Sequence, residues 1–363
     1  MNQNILKKID WSILISSVIL LLIGMIALFS ATKNANNDEF YKQIIWVCVS
    51  LAVMVITVVV DYKTIARFSW VLYGIIIASL VAVLFTTPVN GATRWFNIGG
   101  IFTFQPSEFA KIIFVVFFAY VIVQLQKKDK SEINKFWKLL VCLVVTAVPM
   151  VLIMIQPDTG TAVPFVILFI VMLFVAVIKK KYIFISLLII IIALPLMYMF
   201  VLPEHAKSRI DIYLDPYKDP RGAGYNIIQS KLAIGSGEMF GMGLLKGNQT
   251  QLGYLYPKTT DFIYAVIGEE MGFVVAVSII ILYVFLILRA IKVAKNARDD
   301  LGSYIAIGIA GLFIFHVVQN IGMTMGLLPI TGVPLLFISY GGSSLITSFI
   351  LIGLLLNISA RRN

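Results

Sequence analysis

Apolar runs long enough to cross a bilayer recur from one end of this chain to the other, and they leave few folds open. A membrane span needs about 20 mostly apolar residues. Ten segments reach or approach that length: 11–30, 44–60, 68–86, 106–125, 137–155, 161–178, 182–201, 261–288, 302–325 and 334–358. In hydrocarbon the backbone must satisfy its own hydrogen bonds, so such runs become helices. Of the 363 residues, 60% are hydrophobic and 13% charged; a soluble domain is nearer half apolar and a quarter charged. The expected fold is an all-α polytopic membrane protein of about ten transmembrane helices, a single integral domain over 1–363. The first run, Trp11 to Ser30, is too long for a signal-peptide core and no small-residue cleavage pattern follows it, so it reads as a retained helix. Pro164 and Pro195 fall inside spans, where neighbouring helices tolerate the break.

The basic residues set the orientation. One set of alternate loops and chain ends, from Lys7 to Arg362, carries eighteen Lys and Arg. The short loops of the other set carry Lys33, Lys42 and Arg94. Positive loops stay inside, so both termini are expected to be cytoplasmic, in agreement with an even number of spans. The net charge of +11 is then mostly topological, with some attraction to anionic lipid, and needs no nucleic acid to explain it. Cys48 and Cys142 sit in apolar runs and read as small hydrophobes, with neither a disulfide framework nor metal-ligand spacing.

One connection stands apart. Residues 202–260 form a large extracytoplasmic loop between spans seven and eight. Its stretch "YNIIQSKLAIGSGEMFGMGLL" (225–245) is apolar and glycine-rich but too interrupted to span, which suits a surface-lying or re-entrant piece. A second interfacial stretch, "NGATRWFNIGGIFTFQPSE" (90–108), carries Trp95, Phe96, Phe102 and Phe104 at headgroup level. No internal repeat is evident, which counts against an inverted-repeat transporter.

Four polar clusters fall on the outer side: "FQPSEFAK" (104–111), "QPDTGTA" (156–162), "TTDFIYAVIGEE" (259–270) and "ITGVPLLFISYGGSS" (330–344). Glu108 and Lys111 are helix neighbours. They form either a structural ion pair or a pair whose lysine faces an anionic headgroup. Asp158 is either a turn or N-cap residue or a carboxylate for a cation or a sugar hydroxyl. Asp261 either caps the eighth span or stands at its mouth as a reactive carboxylate. With a helix starting at Asp261, Glu269 lies about 12 Å deeper on a nearby face, and Glu270 turns away. Glu269 is thus the expected companion of Asp261. Ser343 and Ser344 lie in a small-residue stretch suited to close helix packing. His316, Gln319 and Asn320 have helical spacing and read as a buried hydrogen-bonded contact.

These stretches, with "GYNIIQSKLAIGSG" and "GNQTQLGYL", together resemble the SEDS family, the RodA/FtsW/SpoVE polytopic proteins of bacterial wall synthesis, over nearly the whole chain. "QSKLAIGSG" followed by "GNQTQL" looks more like RodA, the elongation member. The resemblance implies a peptidoglycan glycosyltransferase of the bacterial cytoplasmic membrane that polymerises lipid II for wall elongation and cell shape. It places the essential acid at Asp261 and the paired Glu and Lys at Glu108 and Lys111. The chain departs from the family's Leu-Pro-Glu-x-His-Thr-Asp: it reads Leu255, Tyr256, Pro257, Lys258, Thr259, Thr260, Asp261, without the Glu and His. The implied partners are lipid II, undecaprenyl-linked glycan, a class B penicillin-binding protein acting as transpeptidase, and other elongation-complex membrane proteins.

Joining an α-linked donor into a β-linked polymer takes one inverting displacement. That step needs a general base, here Asp261, and positive charge for the departing pyrophosphate. Arg94, Lys111, Arg209, Arg221, Lys231, Lys246 and Lys258 lie on or near the outer side. A divalent cation, Mg or Mn, held by Asp261 or Asp158 is the other source of charge; no organic cofactor is implied. The competing class is a lipid II flippase, which needs a polar path through the whole bilayer.

Overall fold

In the computed structural model the described residues are 9–87, 93–98, 102–127, 129–176, 207, 211–220 and 222–362. The expected span 182–201, and with it Arg209 and Arg221, lies outside them. Among the described residues, seven helices are long and apolar enough to cross a membrane. They are α1 (Trp11–Thr32), α2 (Asp38–Val59), α5 (Pro106–Leu125), α6 (Phe136–Ile155), α10 (Ile263–Lys295), α11 (Asp300–Thr324) and α12 (Gly342–Ala360). Two shorter apolar helices, α4 (Ser69–Ala82) and α7 (Thr159–Val175), accompany them, and α3 (Tyr62–Arg67) joins α2 to α4. Every described segment of the sequence reading thus contains a helix.

Local chemistry sets several of the ends. Pro106 opens α5 with Glu108 in its first turn, where a missing N–H and a negative charge both suit a helix N-terminus. Asp299 caps α11 by accepting from the Gly302 N–H at 2.9 Å. Before α5 the chain makes a small antiparallel hairpin, β1 (Phe96–Ile98) with β2 (Phe102–Phe104), pairing Phe96 with Phe104. The phenyl ring of Phe104 stacks on Phe109 of α5 at 4.8 Å, tying the hairpin to the helix it precedes.

The core gathers around α12, which is buried along nearly its whole length and packs chiefly on α2, with α5 beside it. The α10 helix packs on α11 and α1. From the large loop, α8 (Ala223–Ser236) lies against α10 and α11, and the short α9 (Asn248–Gln251) follows.

Two expected spans differ in detail. The run read as 334–358 is helical only from Gly342; residues 329–341 form a non-helical strap, buried at Val333 and over 335–339. Pro334 cannot continue a helical ladder, and Phe337 adopts a positive φ of 67° while packing edge-on against Phe349. Hydrophobicity alone cannot separate a buried strap from a span. At Gly24 of α1 a Cβ would lie 2.6 Å from the Ile338 Cα, so the strap runs hard against α1. The eighth span starts at Ile263 rather than Asp261, because residues 256–262 are spent in consecutive turns. It also breaks at Gly272 (φ 79°, ψ −178°), a conformation glycine tolerates. Into that break the loop delivers its backbone: Met242 N–H donates to Glu269 O at 2.9 Å, and Phe273 N–H to Glu238 O at 2.9 Å.

The basic end of the bundle is held by ion pairs and amides. Arg289 of α10 bonds Asp10 at the start of α1. Lys63 meets Asp299 at 2.7 Å, and the Tyr62 hydroxyl donates to the same carboxylate at 2.9 Å. The Asn357 amide donates to Thr57 O and Val60 O and accepts from Tyr62 N–H, closing the end of α2 onto α12. Burial opposes ionisation of Asp299. The hydrogen bonds from Lys63, the Gly302 N–H and Tyr62, with the Lys63 charge, outweigh it and hold the carboxyl below its ordinary value. A depressed native pKa stabilises the fold above the unfolded value, about 3.9 for Asp, and the gain is lost as pH falls through the native value. Asp299→Asn should therefore lower the melting temperature at pH 7, and its gap from wild type should close as pH approaches 3. A pH titration of thermal unfolding checks this; a gap unchanged at pH 3 would exclude it.

Candidate active site

Helix polarity alternates through the bundle, so the heads of α2, α5, α7, α10 and α12 and the tails of α1 and α11 meet at one end. There the four polar stretches of the sequence converge. Lys111 Nζ lies 2.7 Å from Glu108 Oε1, and both side chains are only about 5% exposed. The same ammonium lies 3.0 Å from His316 Nε2 of α11. The other ring nitrogen, Nδ1, lies 2.9 Å from Pro334 O of the strap. A carbonyl requires a donor and an ammonium requires an acceptor, so the ring is the neutral Nδ1–H tautomer.

Beside this group, Asp158 Oδ2 accepts from the Gln105 amide at 3.0 Å, and its Oδ1 lies 3.4 Å from Arg94. Asp158 occupies the N-cap position of α7 without a capping bond, so its side chain serves this pair instead. Gln105 N–H donates to Ser343 Oγ at 3.1 Å, while Ser344 Oγ donates back to Gly341 O at 3.0 Å. Ser343 thus joins the cluster, and Ser344 closes the first turn of α12.

Asp261 is half-buried in the turn before α10. It does not cap that helix: Phe262 takes the N-cap position and no side-chain cap bond forms. Its carbonyl accepts from Asn320 Nδ2 at 3.1 Å, and the same amide reaches Val333 O at 2.9 Å. Thr260 O accepts from Ser339 Oγ at 2.7 Å, and Thr259 O from Tyr340 N–H at 2.9 Å. The strap therefore holds Thr259 and Thr260, and Asn320 of α11 holds Asp261, so three consecutive residues of the turn are fixed. Gly332 sits beside the carboxylate, since a Cβ there would lie 3.6 Å from Asp261 Oδ2. Thr331 passes closer still to α7: a Cβ at Gly160 would fall 2.2 Å from Thr331 O. Thr331 and Gly332 thus bridge the Asp158 and Asp261 neighbourhoods. Among the described residues, Glu108 Oε2, Ser107 Oγ, Arg94 Nε, Thr331 Oγ1 and Asn320 Oδ1 are buried without a hydrogen-bond partner. Such groups are costly unless something polar meets them.

The glutamates correct the helical projection. Glu269 does not turn toward Asp261's surroundings. Its oxygens accept from Gln249 N–H at 2.7 Å, Thr250 N–H at 3.0 Å and the Thr250 hydroxyl at 2.6 Å. Glu270 accepts from the Gln251 amide at 2.8 Å, so both acids grip α9. The projection assumed a helix running from Asp261, and the turn at 256–262 invalidates its angles. Lys258 links this clamp to the site by donating to Thr250 O at 2.8 Å. Burial pushes its ammonium below the ordinary lysine value, against the opposing pull of Glu270 and Glu39. Lys231 and Lys246 stand exposed on the loop surface.

A cation shared by Asp261 and Asp158 does not fit this arrangement, because Gln105 and Arg94 already occupy both Asp158 oxygens. Among the described residues no group of three or more His, Cys, Asp or Glu is placed to hold a metal ion. Among the described residues the buried charged side chains are Glu108, Lys111, Asp158, Glu269 and Glu270 at this end and Asp10 at the other.

The family model for FtsW, RodA and SpoVE, described as "Cell cycle protein", matches residues 10–363. The chain belongs to that family. It is 33% identical to the "Peptidoglycan glycosyltransferase RodA" of Treponema pallidum, over 97% of this chain and 98% of that one. It is 36% identical to the "Probable peptidoglycan glycosyltransferase FtsW" of Trichlorobacter lovleyi, over 98% and 94%. RodA- and FtsW-named relatives are thus comparably similar. A solved structure described as "Structural coordination of polymerization and crosslinking by a peptidoglycan synthase complex" matches with a TM-score of 0.84 at 26% identity, covering 97% of each chain. With its apolar helices, the chain is a multi-pass protein of the bacterial cytoplasmic membrane.

The sequence reading had Gln105, Thr331, Gly332 and Ser339 inside its outer polar stretches but assigned none of them a part in the site. The available signal was polar residues flanking apolar runs at positions where lipid would not host them. Removing one member of a buried ion pair strands the other, at a cost of about 3–5 kcal/mol. Lys111→Met should destabilise the protein on that scale, and Glu108→Gln with Lys111→Met should recover much of the loss. Unfolding in detergent by thermal or denaturant titration reads both.

Proposed function

We propose that this protein is a peptidoglycan glycosyltransferase that polymerises lipid II into glycan strands at the outer face of the cytoplasmic membrane, serving wall elongation and cell shape. The observation carrying this reading is the placement of Asp261. It is a half-buried carboxylate on a turn bound by the strap, with Gly332 leaving room beside it and buried ionic groups nearby. The family, and relatives named as peptidoglycan glycosyltransferases, support it.

In this mechanism the Asp261 carboxylate takes the proton from the C4 hydroxyl of the acceptor sugar as that oxygen attacks C1 of the donor. The bond from C1 to the lipid pyrophosphate breaks with inversion, so no covalent sugar–enzyme intermediate forms. Negative charge collects on the departing pyrophosphate. Arg94 is half-exposed and Lys258 stands three residues before the base, so these two meet that charge. Lys111 already serves Glu108 and His316 and contributes through the field of that group. A Mg or Mn ion carried on the pyrophosphate beside Asp261 would supply Lewis acidity there. The undecaprenyl tails run along apolar flanks of the bundle, where Ile44, Val55, Phe273 and Ile281 are among the exposed side chains.

The two-ended distribution of buried charge favours synthesis over flipping. A headgroup crossing the bilayer needs polar partners along its whole path, whereas the described buried charges sit at the two ends. Cross-linking falls to a class B penicillin-binding protein, in keeping with the matched synthase complex. Purified Asp261→Asn should insert and melt like wild type but lose polymerisation of lipid II by at least about a hundredfold. Wild-type polymer yield from that variant would remove Asp261 from the base role.

A further inference from the structure

Three polar side chains of α11 point at one stretch of the strap. His316 binds Pro334 O at 2.9 Å, Gln319 Nε2 donates to Pro329 O at 2.9 Å, and Asn320 donates to Val333 O at 2.9 Å. Their spacing of three and four residues puts them on one face of the helix. His316 and Asn320 each have a second bond, and these reach opposite sides of the site. His316 Nε2 meets Lys111 of α5 at 3.0 Å, while the Asn320 amide meets Asp261 O at 3.1 Å. The receiving carbonyls, Val333 and Pro334, are adjacent in the chain. Each link from Lys111 through His316, Pro334, Val333 and Asn320 to Asp261 is thus a hydrogen bond or a peptide unit. His316 and Asn320 are buried, so water does not substitute for a lost partner.

We propose that His316 is a positioning residue which, through its two hydrogen bonds, sets the strap and hence the Asp261 carboxylate in register with the Lys111–Glu108 pair. The inference rests on Asp261 acting as the base and adds which side chain places it. A single-ended structural bond would need only one ring nitrogen. Here the tautomer is fixed by a donor contact on one side and an acceptor contact on the other, so each nitrogen does a different job. A shift of about 1 Å at a reacting group costs on the order of a hundredfold in rate, and this link ends on the backbone of the base itself.

Two near-isosteric variants separate the two ends. In His316→Asn the amide replaces Nδ1–H toward Pro334 O and leaves Lys111 unmet. In His316→Gln the amide oxygen replaces Nε2 toward Lys111 and leaves Pro334 O unmet. Each is assayed with purified full-length protein for kcat and KM on lipid II and for melting temperature, with Asp261→Asn in parallel. The expected result is a fall in kcat of about tenfold or more for both variants, with KM within about threefold and melting within a few degrees of wild type. Wild-type kcat in either variant would overturn the proposal, because one end of the link would then carry no weight. So would a loss of kcat that merely tracks a lost fold in the melting curve. An active Asp261→Asn would instead sink the base assignment, whatever the His316 variants do.

Discussion

Backbone that is not helical can lie within a membrane bundle only if other groups satisfy its N–H and C=O. The strap at 329–341 answers that constraint with side chains from three helices. Its carbonyls at Pro329, Val333 and Pro334 go to Gln319, Asn320 and His316, that of Leu336 to the Tyr283 hydroxyl, and that of Ser339 to Gln43. The Leu335 N–H goes to Ser339 Oγ and the Gly341 N–H to Gln43 Oε1. These polar residues on α2, α10 and α11 are therefore forced by the strap, and the strap in turn shapes the ground on which Asp261 stands. Stabilising interactions and site geometry are here the same hydrogen bonds.

The two ends of the bundle solve different problems. At the basic end, ion pairs such as Lys63–Asp299 and Lys130–Asp300 remain partly exposed, and each contributes modestly. At the other end, Lys111–Glu108 and Asp158 are nearly sealed, and Glu108 Oε2 has no partner among the described residues. A fold optimised for stability alone would replace such groups with apolar ones of similar shape. Their concentration beside Asp261 is understandable as preparation for a polar, charged substrate group that completes the hydrogen bonding.

Much of this was legible in the sequence, because long apolar runs admit few conformations in lipid. The helices, the convergence of four polar stretches and the Glu108–Lys111 pair all follow from period and position. What was not legible depended on backbone breaks. "GVPLLFIS" is as apolar as any span, and nothing in its composition says that Phe337 takes a positive φ and leaves the helix. The same holds for Asp261: its two-residue offset from the helix start rotates every projected face, and so Glu269 was assigned the wrong neighbours. The His316, Gln319 and Asn320 spacing was visible, but its partners were not. They are backbone carbonyls at Pro329, Val333 and Pro334, in and just before the run that the pattern had read as the last span.

The corrected role of the glutamates completes the account of how one carboxylate is fixed. Asp261 belongs to a turn, and turns are soft unless held from more than one direction. From the bundle side, Asn320 and Ser339 hold the carbonyls of residues 261 and 260. From the loop side, Glu269 binds Gln249 and Thr250, and Thr250 O receives the Lys258 ammonium. The large loop is thus anchored by buried acid to the helix that carries the site, and Lys258 passes that anchorage to the Asp261 turn. These bonds hold the Asp261 turn by its backbone, at the carbonyls of residues 260 and 261. A general base needs its backbone fixed so that the carboxylate meets the acceptor hydroxyl in one geometry, and these two anchors supply that.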